Sequence, residues 1–121
     1  LRLEVVMNTE LTIHQIEQAL ANLPTLIEKA GQELITAENL LSMAQAQRDI
    51  EQAKIRIAHI EEEISAKILE SFAIIGTEVL TKEIIELDKI VEIKKLAKNL
   101  LENKYISARK IGTLRNIYQP M

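Results

Sequence analysis

At 121 residues the chain has the length of one domain, and three Gly, two Pro and no Cys leave it without the turn signals of a β-sandwich or α/β domain and without a disulfide or thiolate site. Its net charge of −3 averages two unlike parts: residues 1–87 carry 7 basic and 15 acidic side chains, net −8, whereas residues 88–121 carry 8 and 3, net +5. The aliphatic weight lies in Leu, Ile and Ala mixed with Glu, Lys and Gln, which predicts an all-α, coiled-coil-like fold whose basic end favours a polyanion or the acidic part of another copy.

In chain order, residues 1–8 read as a disordered or loosely docked extension, although Leu1, Leu3 and Val5 alternate with Arg2 and Glu4 as in a strand. Residues 9–121 read as a single helical-hairpin domain. Thr12 and Gln15 fit a capping box and Leu11 and Ile16 a hydrophobic staple, which opens a short helix over about 12–22. Pro24 should end it, because the residue before a proline is pushed out of the helical region.

A long helix is then predicted over about 25–75. Its apolar stripe runs through Ala30, Leu34, Ala37, Leu41 and Ala44. A second phase follows through Met43, Ala46, Ile50, Ala53, Ile57, Ile60 and Ile64, as a stutter or a change of partner would produce. Some 50 helical residues would extend about 75 Å, which predicts a rod. Gly76 and Thr77 suit the reversal as C′ residue and N-cap, and Glu78 suits the helix dipole. The return helix is expected over about 78–118, with a stripe of Leu80, Ile84, Leu87 and Val91, then Ile93, Ala97 and Leu100, continuing through Tyr105, Ala108, Ile111, Leu114 and Tyr118. Pro120 closes it.

The candidate core or oligomer seam is therefore Ile50, Ile57, Ile60, Ile64, Leu87, Val91 and Leu100. A two-helix seam needs two apolar residues in seven. Leu40, Ile55, Ile68, Leu69, Ile85, Ile90, Leu96, Leu101 and Ile106 lie off it. Each is worth roughly 1.5–3 kcal/mol when buried, so exposure of eight would forfeit on the order of 15 kcal/mol. A homo-oligomer is expected to complete the hairpin.

Chemistry-bearing residues are few. His59 has Glu62 and Glu63 at i+3 and i+4, but Arg56 stands where a Glu-x-x-His metal pair needs a Glu. No metal or other cofactor is expected, and His59 reads as solvated or interfacial. There is no Ser–His–Asp order and no Gly-rich phosphate loop. A rod of this composition should also lack a concave apolar pocket. No catalytic residue and no small-molecule substrate are expected. The longest apolar run, Phe72-Ala73-Ile74-Ile75, is too short to span a bilayer and no secretory signal opens the chain. A cytoplasmic protein without membrane contact is the reading. In the basic helix, Lys94, Lys98, Lys104, Arg109, Lys110 and Arg115 could track a single-stranded nucleic acid, with Tyr105 available for stacking. The competing reading makes these flanking charges whose stems cover apolar surface.

From about Leu40 onward the chain resembles the small helical phage proteins of the UvsY-type recombination mediators. The likeness lies in the long helix Met43 to Leu69, a short tip, and a return helix with Glu86-Leu87-Asp88-Lys89-Ile90 near its start and Ala108-Arg109-Lys110-Ile111 near its end. The resemblance implies oligomers that bind single-stranded DNA, with the six basic positions above as strand contacts. The leading expectation remains a non-enzymatic, self-associating scaffold or interaction protein, and a single-stranded nucleic-acid-binding mediator is the alternative.

Overall fold

The computed structural model describes residues 12–114. Among them are three helices and no strand: α1 (Ile13–Ala58), α2 (Ala66–Gly76) and α3 (Glu78–Leu114). The chain is all-α. It forms two compact units, one of Leu1–Gln32 with Leu96–Met121 and one of Glu33–Lys95. The extension 1–8, the staple residue Leu11, Arg115, Tyr118 and Pro120 lie outside the described residues.

The expected capping box opens α1. The Thr12 amide donates to Gln15 Oε1 at 2.8 Å and the Gln15 amide donates to Thr12 Oγ1 at 3.1 Å. The helix does not end near Asn22, however, and Pro24 lies inside it. A proline there removes the bond to the carbonyl four residues back and costs about 3 kcal/mol. What offsets this is the buried stripe. Ile16, Leu20, Leu23, Ile27 and Ala30 follow at steps of four, three, four and three, and all are buried or half-buried while Pro24 faces outward. Stopping the helix at Asn22 would take Leu23, Ile27 and Ala30 off that face.

In the unit of Glu33–Lys95 the same rhythm continues through Leu34, Ala37, Leu41, Ala44 and Arg48 to Ile55. The predicted switch of phase does not occur. Ile50, Ile57 and Ile60 of the expected seam are exposed, as is Leu100 in the other unit, so none of the four belongs to the core of the single chain. Ile64 and Leu87 are half-buried and Val91 is buried. The physical reason is that a heptad seam keeps its period even where a polar residue falls in it. Long side chains such as Arg48 and Lys94 fill those places with their stems.

The chain also turns earlier than predicted. α1 stops at Ala58 rather than near Ile75, and residues 59–65 form the turn. It is built from tight bonds: the His59 amide donates to Arg56 O, Ile60 to Ile57 O and Glu62 to His59 O. Ser65 then caps α2, its Oγ accepting from the Ile68 amide at 3.2 Å. α2 lies back against the end of α1. Arg56 makes two bonds to Glu70, at 2.7 and 3.1 Å, and the His59 and Phe72 rings meet at 5.0 Å. Close approach continues at Gly76, where an added Cβ would stand 2.5 Å from Ile55 Cδ1.

Gly76 and Thr77 therefore mark a break within the returning arm and not the reversal. Thr77 is buried. Its hydroxyl donates to Ala73 O at 2.8 Å and accepts from Gln52 Nε2 at 3.1 Å, and its carbonyl accepts from the Thr81 amide at 2.9 Å. From there α3 packs Leu80, Ile84, Leu87, Val91 and Lys94 inward. Gln52 meets Thr77 and Glu33 meets Lys94, so within this unit α1 and α3 run antiparallel.

In the other unit, α3 turns Lys98, Leu101, Tyr105, Ala108 and Gly112 inward. An added Cβ on Gly31 of α1 would stand 3.8 Å from Lys98 Cε. The predicted stripe of Ile93, Ala97 and Leu100 faces outward instead.

Candidate functional site

The basic side chains of α3 divide into two kinds. Lys94 and Lys98 fall on seam positions and are half-buried. Lys94 Nζ lies 3.3 Å from Glu33 Oε2, and Lys98 Nζ lies 3.7 Å from Glu102 Oε1. Each ammonium already has a carboxylate, and each stem covers apolar surface. Lys104 and Lys110 are exposed, and the Arg109 guanidinium stands 5.8 Å from the centre of the Tyr105 ring. Tyr105 itself is half-buried beside Pro24, Ile27 and Ile106. Of the expected nucleic-acid positions, Lys98, Lys104, Tyr105, Arg109 and Lys110 thus lie on α3 in one unit, Lys98 in the seam. Lys94 belongs to the other unit, and Arg115 is outside the described residues.

An open apolar groove runs along the same stretch, contrary to the expectation that the chain offers no concave apolar surface. Its volume is about 540 Å³. One wall carries Ala19 and Leu23 of α1, the other Leu100, Ala108 and Ile111 of α3, with amides such as Gln15, Asn22 and Asn103 around them. The spacing follows from the helices: residues three and four apart share a face, so α1 gives 15, 18, 19, 22 and 23. Among the described residues Lys104 is the one ionisable side chain that lines the groove, and no acid–base or nucleophile–base pair is assembled among them there.

The surface is otherwise notable for aliphatic side chains. Among the described residues, 20 large hydrophobic side chains are exposed, against seven apolar residues in the core. They are densest between Ile68 and Val79, where Ile68, Phe72, Ile74, Ile75 and Val79 all face outward. Met43, Ile50, Ile57 and Ile60 of the predicted second apolar phase belong to this exposed set, whereas Ile64 is half-buried.

The tip of the Glu33–Lys95 unit is acidic. Glu61, Glu62 and Glu63 are exposed in the turn, with Glu62 Oε1 2.8 Å from His59 Nδ1. The hydrogen bond and charge of Arg56 lower the Glu70 carboxyl below its ordinary value, and the same bond raises the Arg56 guanidinium. His59 is engaged by Glu62 and Phe72. Among the described residues no group of three or more His, Cys, Asp or Glu side chains could hold a metal ion. No described helix is long and apolar enough to cross a membrane.

No family model, curated protein or solved structure matches this chain.

Proposed function

We propose that this chain is a non-enzymatic, self-associating helical scaffold or interaction protein of the cytoplasm, whose long antiparallel helical hairpin is completed by further copies. The observation that carries this reading is the aliphatic surface: 20 exposed large hydrophobic side chains among the described residues. Single exposed Leu or Ile residues are ordinary on any surface, but continuous stripes of them mark an interaction face. Covering eight would contribute on the order of 15 kcal/mol before the costs of association. Light scattering and sedimentation across a hundredfold dilution test the reading. Assemblies of at least two copies at micromolar concentration are expected, and a stable monomer throughout that range would overturn it.

A second reading, a single-stranded nucleic-acid-binding recombination mediator, draws support from exposed Lys104 and Lys110 on α3 and from the Arg109–Tyr105 stack. It is tested by gel-shift titration with a labelled oligonucleotide at two salt concentrations. Each lost phosphate contact on a single strand flattens the salt slope by about 0.7, so Lys104→Ala/Lys110→Ala should flatten it by about 1.4. Lys94→Ala/Lys98→Ala should change it less, since Glu33 and Glu102 already hold those ammonium groups. No binding at low salt would remove this reading.

A further inference from the structure

The division into two units also divides the charge. Counted along the sequence, the unit of Glu33–Lys95 carries 8 basic and 13 acidic side chains, net −5, and the other unit carries 7 and 5, net +2. Two copies that met through the same acidic unit would therefore repel, whereas contact between unlike units would be attractive. Each unit offers an apolar groove, that of the acidic unit being lined by Leu40, Met43, Ala44, Leu80 and Leu87 with Glu83, so charge is what decides between them. The acidic unit presents a protruding apolar face at α2, where Ile68, Phe72 and Ile75 stand at i, i+4 and i+7 and are all exposed. The basic unit's groove has two apolar walls and Lys104 at its edge. An amphipathic helix with anchors at i, i+4 and i+7 lying in an apolar groove between two helices is a recurring recognition mode.

We propose that α2 of one copy docks into the groove of the next. Ile68, Phe72 and Ile75 face Leu23, Leu100 and Ile111, and the acidic tip around Glu61–Glu63 lies toward Lys104 and Lys110. This rests on the self-association reading and names its surfaces. The occupant of the groove is a second copy of this chain, offering a different surface from the one it receives. Such a contact is heterologous, so each pair keeps one free α2 and one free groove, and growth does not stop at two copies through this contact alone. Because the two units that meet carry opposite net charge, association should weaken as salt rises.

Two variants separate the surfaces without touching the seam. Ile68→Asp/Ile75→Asp spoils the docking helix, and Lys104→Glu/Ser107→Glu places two carboxylates at the groove; all four positions are exposed. Circular dichroism confirms that each variant keeps wild-type helicity. In sedimentation, each variant alone should associate at least about tenfold more weakly than wild type, as expected when charges are set into an apolar contact. Mixed one to one, they should form a complex of one copy of each and stop at two, because only one intact α2 then meets one intact groove. The absence of cysteine allows a direct check. Ile75→Cys chains mixed with Ser107→Cys chains should oxidise to mixed disulfides faster than either variant does alone. If wild type assembles but either double variant assembles equally well, or the mixture gains nothing over its components, the contact lies elsewhere and the proposal falls while the self-association reading stands. A monomeric wild type removes both.

Discussion

Val91 and Ile93 stand two residues apart on α3 and differ little in size or polarity, yet they are 3% and 63% exposed. Val91→Asp sets a carboxylate into the seam. The cation one turn on along the same face, Lys94, is already held by Glu33 at 3.3 Å. An unpaired buried charge costs several kcal/mol, and the lost burial of Val adds about 1.5–3 kcal/mol. A loss of roughly 5 kcal/mol is comparable to the whole stability of many domains, so this variant should be largely unfolded at 25 °C. Ile93→Asp removes an aliphatic side chain that the single chain does not bury, and a surface change of this kind stays within about 0.5 kcal/mol. Thermal melts followed by circular dichroism over a hundredfold dilution separate the fold from assembly, since only the latter depends on concentration. Expected is a collapse of helicity for Val91→Asp at every concentration, and for Ile93→Asp a dilute melt within a few degrees of wild type. Equal concentration-independent losses for the two would refute the assignment of the seam to Val91 and its heptad partners.

Pro24→Ala should stabilise the chain by roughly 1–3 kcal/mol, read as a higher melting temperature, because it restores an amide donor to the interior of α1 without disturbing the buried face. Thr77→Val keeps the branched shape but removes the hydroxyl that bonds Ala73 O and Gln52 Nε2, and denaturant titration should record a loss of about 1–2 kcal/mol. The Glu70 carboxyl is held below its ordinary value by Arg56. The stability it contributes is therefore present above the unfolded value near pH 4.3 and lost as pH falls through the lower folded value. Melting curves of wild type and Glu70→Gln should separate at neutral pH, with wild type the more stable, and converge in acid; a gap that widened on acidification would contradict the Arg56–Glu70 pair.

The helical class and the start of α1 were legible along the chain for local reasons. Thr12 and Gln15 make the reciprocal bonds that their spacing promises, and the stripe from Ala30 to Ala44 is buried or half-buried as its period requires. The turn at 59–65 was harder to read, since its seven residues contain neither Gly nor Pro and three of them are Glu. The one local sign was Ser65, a good N-cap, which bonds the Ile68 amide. Gly76, the stronger turn signal in the sequence, serves instead for close approach to Ile55. The candidate strand-binding lysines were found as a charge excess, which sums over all faces of a helix. That sum cannot separate Lys94 and Lys98 in the seam from Lys104 and Lys110 outside it.

By itself the sequence determined what depends on neighbours along the chain: helix in place of strand, the cap at Thr12, and the opposed charges of its two parts. The tertiary structure decided everything that depends on which face meets another helix. Hydrophobicity alone offers two stripes on α1 and two on α3, and a reading that follows the larger residues takes Ile50, Ile57 and Leu100 for core. Packing keeps the 3.5-residue period through Arg48, Lys94 and Lys98, because their stems fill the seam while Glu33 and Glu102 receive the charges of the two lysines. It carries α1 through Pro24, since the burial of Leu23, Ile27 and Ala30 on one face outweighs one missing hydrogen bond. Of the aliphatic residues that the pattern set off the seam, Leu40, Ile68, Ile85, Ile90, Leu96 and Ile106 are left outside, whereas packing half-buries Ile55, Leu69 and Leu101.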